Sequence, residues 1–484
     1  MVRVGRQTKK NGYFCPPTLN FIFRMSQAIH FIAIGGSAMH SLALALQKQG
    51  YIVTGSDDVI YDPSKTQLEQ HGLLPTELGW FPDKVNQATA IIVGMHAHPD
   101  NPELLRAQEL GLPIYSYPDF IYQQSQQKQR VVITGSHGKT TVTAMILHVM
   151  QYHNRRFDFL VGEPVAGLPG TVRLSTGQEA PAASVIIIEG DEYASSPIDP
   201  TPKFLNYKPH IALINGIAWD HVNLYPTWDS YVEPFEQLAE DMPKAGVLIF
   251  DESDNMLDVI GQKDRTDITK IPYQPHPSEV VEGQTYLVTK KRSGVPSRRI
   301  PVSFFGEPNM KNIAGAMAVC DRLGLTEDQF YEAIPSFVGV TQRLEKIAEA
   351  GGRTIIRDAA HAPAKVEAIT EAVRQQYARQ RLLAVVELHT YSSLNKLFLG
   401  EYQGALNPAD AAVVFVNSNG HPIEITAPDV ETAFAHKNLR VFTDVADLQT
   451  YLVDQRATAD VFLLMSSGSF GGMNINELAS QLLG

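Results

Sequence analysis

The chain has 484 residues, with 40 Lys and Arg against 52 Asp and Glu, a formal charge of −12, and 44% apolar residues. The composition is that of globular protein; the acidic balance argues against bulk nucleic-acid binding, and no apolar run approaches the ~20 residues that span a membrane. Two cysteines, Cys15 and Cys320, are too few for a disulfide framework and fit a reduced, cytoplasmic setting.

The length predicts roughly three domains. Residues 1–24 are basic through Arg3, Arg6, Lys9, Lys10 and Arg24. They lack a sustained apolar stretch and a small-residue cleavage site, which argues against a secretory signal. Residues 1–25 read as a disordered tail or as a start codon assigned too early.

From 26 to 125, "HFIAIGG", "YIVTGSD" and "AIIVG" read as strands separated by helical runs such as "SLALALQKQG". Alternation of this kind predicts βαβ units on a parallel sheet. "AIGGSAMH" follows the first strand, and Asp57 ends the next strand 22 positions after Gly35. This is like the dinucleotide fingerprint, with its acidic residue roughly 20 positions on for a ribose hydroxyl. Ala33 and Ala38 replace its first and third glycines, so the stretch supports a nucleotide diphosphate more than NAD itself.

"QQSQQKQ" (123–129) reads as a polar linker into a second block, 126–338. Val131, Val132 and Ile133 form a β-branched run, then Val142, Met145, Ile146 and Val149 follow a helical period. Between them, "GSHGKTT" has the parts of a phosphate loop. Gly135 and Gly138 allow close backbone approach, Lys139 meets the β/γ-phosphates and Thr140 holds Mg²⁺. Lys139 is expected on an exposed loop. The strict pattern wants a glycine where Ile133 stands, so the stretch alone reads equally as an ordinary glycine turn. Two further strands end in acids: "IIIEGDEY" brings Glu189, Asp191 and Glu192, and "INGIAWDH" brings Asn215, Asp220 and His221. Each alone reads as solvated loop charge. Together they suit ligand and Mg²⁺ binding at the carboxyl ends of a parallel sheet. The third block, 339–484, carries "RTIIRDAAH", "RLLAVVELH", "AAVVFVN" and "DVFLLMSSG", again strands at parallel-sheet spacing.

"GSHGKTT", "EGDEY", "NGIAWDH", "GEPNMKNIAGAMA", "QRLE" and "RDAAHAP" occur in the order and spacing of the Mur ligases, a resemblance running from about Met25 to the end. It implies three α/β domains: a Rossmann-like domain for a UDP sugar, a central P-loop ATPase-like domain with a parallel sheet, and a Rossmann-like domain for the incoming amine. The implied reaction is ATP-dependent ligation of an amine to a carboxylate through an acyl phosphate, completed by domain closure. By position, Gly135, Ser136, His137, Gly138, Lys139, Thr140, Thr141, Asn309, Asn312, Arg343 and Asp358 would bind ATP. Thr140, Glu189 and His221 would hold Mg²⁺, and Lys139, His221 and Arg343 would carry catalysis. Gly36, Ser37 and Asp57 would hold the UDP sugar, while His361, His389 and Lys396 would line the substrate and peptide side.

The chain departs from the family at Glu307-Pro308, where a histidine usually precedes the asparagine, at Ala362 and at Leu388-His389. Those changes touch substrate detail and leave the phosphate and metal groups intact. "DPTPKFLNYKP" (199–209) and "VIYDPSKTQLEQHGL" are similar to segments of members that add a whole tripeptide. The resemblance therefore implies UDP-N-acetylmuramate and the murein tripeptide L-alanyl-γ-D-glutamyl-meso-diaminopimelate as partners, with L-alanine the alternative amine. No nucleic acid, membrane or obligate protein partner is expected. A dehydrogenase and a non-catalytic P-loop module are the distant alternatives.

Overall fold

A computed structural model describes residues 27–175, 179, 181–291, 296–418 and 425–484. The expected tail, residues 1–25, lies outside the described residues, as does Cys15. By contact the chain divides into two units: Met1–Gln124 with Pro169–Ser184 and Ala194–Pro200, and Ser125–Leu168 with Val185–Tyr193 and Thr201–Gly484.

In the first unit, four parallel strands run in the order Ile52–Ser56, Ala28–Ile32, Ala90–Val93, Ile114–Ser116. These are the apolar runs of the sequence, and Phe31, Ile32, Ile91, Ile92 and Val93 are wholly buried. Parallel strands need crossovers, and the helix Ser37–Lys48 supplies the first one. Gly36 is its N-cap. The Asp57 carboxylate accepts the Gly35 N–H at 2.7 Å and so ties the second strand end to the first glycine turn.

The second unit contains two large sheets beside a small three-stranded one. In one, six parallel strands run in the order Thr269–Tyr273, Val247–Asp251, Ile211–Ile214, Gln129–Thr134, Val185–Glu189, Asp158–Leu160. The helices Lys139–Tyr152 and Glu307–Arg322 bury Met145, Ile146, Val149, Ile313 and Ala316 in its core. Both strands beside Gln129–Thr134 belong to this sheet, so its carboxyl end opens between two acidic strand ends. The linker is shorter than the sequence predicts. The helix Tyr117–Gln124 reaches into it, the next strand starts at Gln129, and Lys128 forms an ion pair with the buried Asp158.

The other sheet runs Glu345–Ala350, Arg353–Asp358, Val461–Met465, Leu382–Leu388, Ala411–Val416, Leu439–Phe442. Its first pair is antiparallel and the rest are parallel. Leu382–Leu388 is buried at every position, as expected for a central parallel strand covered on both faces. Among the described residues no helix is long and apolar enough to cross a membrane.

Candidate active site

The strand Gln129–Thr134 delivers the chain into a tight turn at Gly135 (φ 122°) and Gly138 (φ 73°), both in the region that favours glycine. Gly138 is the N-cap of the helix Lys139–Tyr152 and has no side-chain cap, so the positive helix end stays open to an anion. The turn is braced from behind. A Cβ at Gly138 would lie 2.1 Å from Asn215 Nδ2 and 2.2 Å from Asn312 Oδ1. Asn215 Nδ2 donates to His137 O at 3.2 Å and to Asn312 Oδ1 at 2.8 Å, and Asn215 Oδ1 accepts from Tyr273 OH. Ser136 Oγ is 2.7 Å from Tyr231 OH and accepts the Ala218 N–H at 2.8 Å. Burial, then the charges of Lys365, Lys311 and Lys139, push His137 down to about 4, which keeps the ring neutral at pH 7.

Lys139 is not on an exposed loop. Its side chain is 16% exposed, and its ammonium donates to Gly135 O at 2.8 Å and Glu192 Oε2 at 2.7 Å. Burial would lower its pKa, but Glu192 and Asp191 outweigh that and hold it above its ordinary value. Burial would likewise raise Glu192, yet Lys139 and His221 bring it down to about 2. On the other side of Glu192, His221 Nε2 lies 3.3 Å from Oε1. Tyr193 covers the His221 ring at 4.5 Å, its hydroxyl 3.0 Å from Nδ1. The Thr140 hydroxyl donates to Glu189 Oε1 at 2.6 Å, and Gly162 N–H reaches Oε2 at 2.8 Å. Burial raises Glu189 against both hydrogen bonds.

Lys139, Thr140, Glu189, His221, Asn312 and Asn309 therefore come together around one turn. Asn309 donates to Phe305 O at 2.9 Å, and Asn312 to Asn309 Oδ1 at 3.4 Å. Thr141 is buried in the first turn of the loop helix. Arg343 is 3.1 Å from Glu163, the residue after the Gly162 that binds Glu189, and Asp358 accepts the Leu344 and Ala360 N–H groups, each at 2.7 Å. His361 Nε2 is 3.9 Å from Asp220 Oδ2, and its ring lies 6.2 Å from that of His389, whose Nε2 is 3.2 Å from Ser467 Oγ. Lys396 is 60% exposed and 2.9 Å from Asp429, apart from that cluster. Gly36, Ser37 and Asp57 sit together in the first unit, Ser37 exposed and Asp57 buried.

Three further participants take their partners from distant parts of the chain. Glu192 stands in "EGDEY", but its pairing with Lys139 needs the sheet order. Lys311 lies 3.2 Å from the buried Asp251. Lys365 lies 3.1 Å from Asp220 Oδ2. Its one sequence clue is a cation in the first turn of a helix, where the macrodipole disfavours it.

The residues fit a nucleoside triphosphate with Mg²⁺. An uncapped helix N-terminus, two left-handed glycines and a buried ammonium suit phosphate. The Thr140 hydroxyl and Glu189 carboxylate are hard oxygen donors placed side by side. No group of three or more His, Cys, Asp or Glu forms a ready metal cage among the described residues. Mg²⁺ takes one or two protein carboxylates and draws other ligands from phosphate and water.

Three family matches follow in order: the Mur ligase family catalytic domain over residues 28–129, the Mur ligase middle domain over 133–320, and the Mur ligase glutamate ligase domain over 342–468. The UDP-N-acetylmuramate–L-alanine ligase of Lactiplantibacillus plantarum is 28% identical over 451 residues, covering 87% of this chain and 96% of that protein. A murein peptide ligase from Psychrobacter arcticus 273-4 superposes with a TM-score of 0.64 at 23% identity, over 94% of this chain and 99% of that one. The UDP-N-acetylmuramate–alanine ligase of Thermotoga maritima does so with a TM-score of 0.67 at 19% identity, over 94% and 98%. At those identities the superpositions show the fold. With the three domain matches spread along it in order, the chain belongs to the Mur ligase family, ATP- and Mg²⁺-dependent carbon–nitrogen ligases.

Proposed function

We propose that this ligase joins the tripeptide L-alanyl-γ-D-glutamyl-meso-diaminopimelate to the lactyl carboxylate of UDP-N-acetylmuramate. The observation that carries the choice of amine is the place of the segment 199–209, the stretch similar to tripeptide-adding members. Its Lys203 lies 2.7 Å from Asp191 Oδ2, the Lys203 N–H donates to Tyr193 O at 2.9 Å and the Phe204 N–H to Asp191 O at 3.2 Å. The segment thus grips the loop that presents Glu192 to Lys139 and His221. A second reading, L-alanine as the amine, is favoured by the likeness to the UDP-N-acetylmuramate–L-alanine ligase of Lactiplantibacillus plantarum.

A carboxylate carbon is a poor electrophile, so its oxygen first takes the γ-phosphoryl group of ATP and ADP leaves. The amine then attacks the acyl phosphate, phosphate departs and the amine loses its proton. Phosphoryl transfer asks the protein for positioning and charge neutralisation. In this reading Gly135, Ser136, His137, Gly138, Lys139, Thr140 and Thr141 hold the phosphates together with Arg343, while Asn309, Asn312 and Asp358 face the nucleoside. Thr140, Glu189 and His221 hold Mg²⁺, which supplies Lewis-acid neutralisation of phosphate charge when bound. Domain 26–125, with Gly36, Ser37 and Asp57, takes the UDP sugar. Domain 126–338 takes ATP, and 339–484, with His361, His389 and Lys396, takes the peptide.

The deciding experiment measures phosphate release with UDP-N-acetylmuramate and ATP against each amine in turn. Turnover with the tripeptide and little with L-alanine is expected. Strong turnover with L-alanine and none with the tripeptide would give the second reading.

A further inference from the structure

Lys365 occupies the third position of the helix Pro363–Gln376, whose N-cap, Ala362, offers no side-chain cap. A cation there opposes the positive end of the helix macrodipole. The side chain is only 20% exposed, and its Nζ lies 3.1 Å from Asp220 Oδ2. Asp220 is buried, accepts the His221 N–H at 2.8 Å, and lies 3.9 Å from His361 Nε2. Lys365 therefore pairs with the residue before His221, which in turn touches Glu192 and through it Lys139. An ion pair serving only to join two elements would be better arranged with the carboxylate at the helix start and the cation opposite. The arrangement found brings two positive features, an uncapped helix end and an ammonium, to one place.

Three lysines come from three elements: Lys139 from the phosphate loop, Lys311 from the helix Glu307–Arg322, and Lys365 from the third block. The charge of each acts on His137 within the loop. Lys311 has its own buried partner in Asp251, and Lys139 has Glu192. Lys365 shares Asp220 with His221 and His361.

We propose that Lys365 is a further catalytic residue, contacting the phosphoryl group as it passes from ATP to the substrate carboxylate. This rests on the reading of the Lys139 loop as the ATP site. In the step concerned, a carboxylate oxygen forms a bond to the γ-phosphorus. The bond from that phosphorus to its bridging oxygen breaks, and ADP leaves with the electron pair. No proton has to move. Charge develops on the phosphoryl oxygens, and an ammonium already held in place stabilises it without reorganisation. Asp220 keeps the ammonium oriented until substrate arrives.

The test is single-turnover ADP formation by rapid quench, with UDP-N-acetylmuramate and ATP·Mg²⁺ but no amine. Lys365→Gln, which retains a hydrogen-bond donor toward Asp220, is expected to slow this step about a hundredfold. Lys365→Arg should recover part of the rate because it keeps the charge. Melting temperatures establish that each variant is folded. A wild-type rate of ADP formation in folded Lys365→Gln overturns the proposal, as does a defect that appears only when amine is added. Lys139→Ala run alongside separates the two readings. Normal ADP formation in that variant removes the loop assignment, whereas a Lys139→Ala defect with normal Lys365→Gln removes only the role of Lys365.

Discussion

Lys139 has two duties that pull in one direction. In the proposed function it offers positive charge to phosphate, and in the structure it neutralises Glu192, which is 3% exposed. Lys139→Ala should therefore lower turnover about a hundredfold or more and cost about 3 kcal/mol of stability, since it strands a buried carboxylate. Steady-state kinetics and urea melts on the same preparation check both; a variant of unchanged stability would show that His221 alone satisfies Glu192. Gly138→Ala meets two obstacles, a left-handed φ of 73° and the side chains of Asn215 and Asn312. It should raise the KM for ATP more than that of the other substrates, read from initial rates. His137 and His361 are both lowered by burial, to about 4, from an ordinary value of 6.5. Below pH 6.5 the unfolded chain binds protons that the folded chain refuses. The stability these rings confer is thus complete above pH 6.5 and is lost as pH falls toward 4. At pH 5 the two together should take up about two protons on unfolding. Calorimetry in buffers of different ionisation enthalpy, run on wild type and on His137→Gln and His361→Gln, measures their share, and an unchanged uptake in both variants would place both rings in water.

The short helix Lys203–Asn206 shows how an element too small to stand alone is made rigid. Phe204 and Tyr207 are fully buried, and Phe204 stacks on Phe235 at 5.1 Å. The Arg130 guanidinium donates to Tyr207 O at 2.9 Å, tying the turn to the strand before the phosphate loop. Phe204→Ala should cost about 3–4 kcal/mol, since it removes a large core side chain. A loss below about 1 kcal/mol in a urea melt, the size of an exposed substitution, would mean that the turn is not packed as described. The helix Trp228–Asp241 that receives Phe204 starts with a capping box between Thr227 and Ser230. Its cap holds the first turn while Tyr231 reaches back to Ser136.

Across the molecule the residues proposed for the metal and for the sugar fall in different units. Thr140, Glu189 and His221 lie in the second, and Gly36, Ser37 and Asp57 in the first. Glu189→Gln and His221→Ala should raise the Mg²⁺ concentration needed for half-maximal turnover and leave UDP-sugar affinity nearly unchanged. Isothermal titration of UDP-N-acetylmuramate into each variant tests this. A large loss of affinity there would mean that the sugar and metal roles are misassigned between the domains.

Much of this was legible from local pattern. Val131–Ile133 announced a buried strand, Val142, Met145, Ile146 and Val149 a helix, and Gly135 and Gly138 the turn between them. Those signals survive folding because side-chain period and backbone freedom are properties of neighbours in the chain. What the chain does between distant segments was not legible. Glu345–Ala350 pairs antiparallel with the strand Arg353–Asp358, although "EKIAEA" has no clear strand alternation. Lys139 found Glu192 53 positions on, and Asp220 found Lys365 145 positions on. Such pairs exist only after the strand order has put their strand ends side by side. Burial then decides their charge, because a carboxylate out of water keeps its charge only beside a cation. The sequence by itself determined the elements and the chemistry available at their ends; tertiary structure alone decided which of those charges meet.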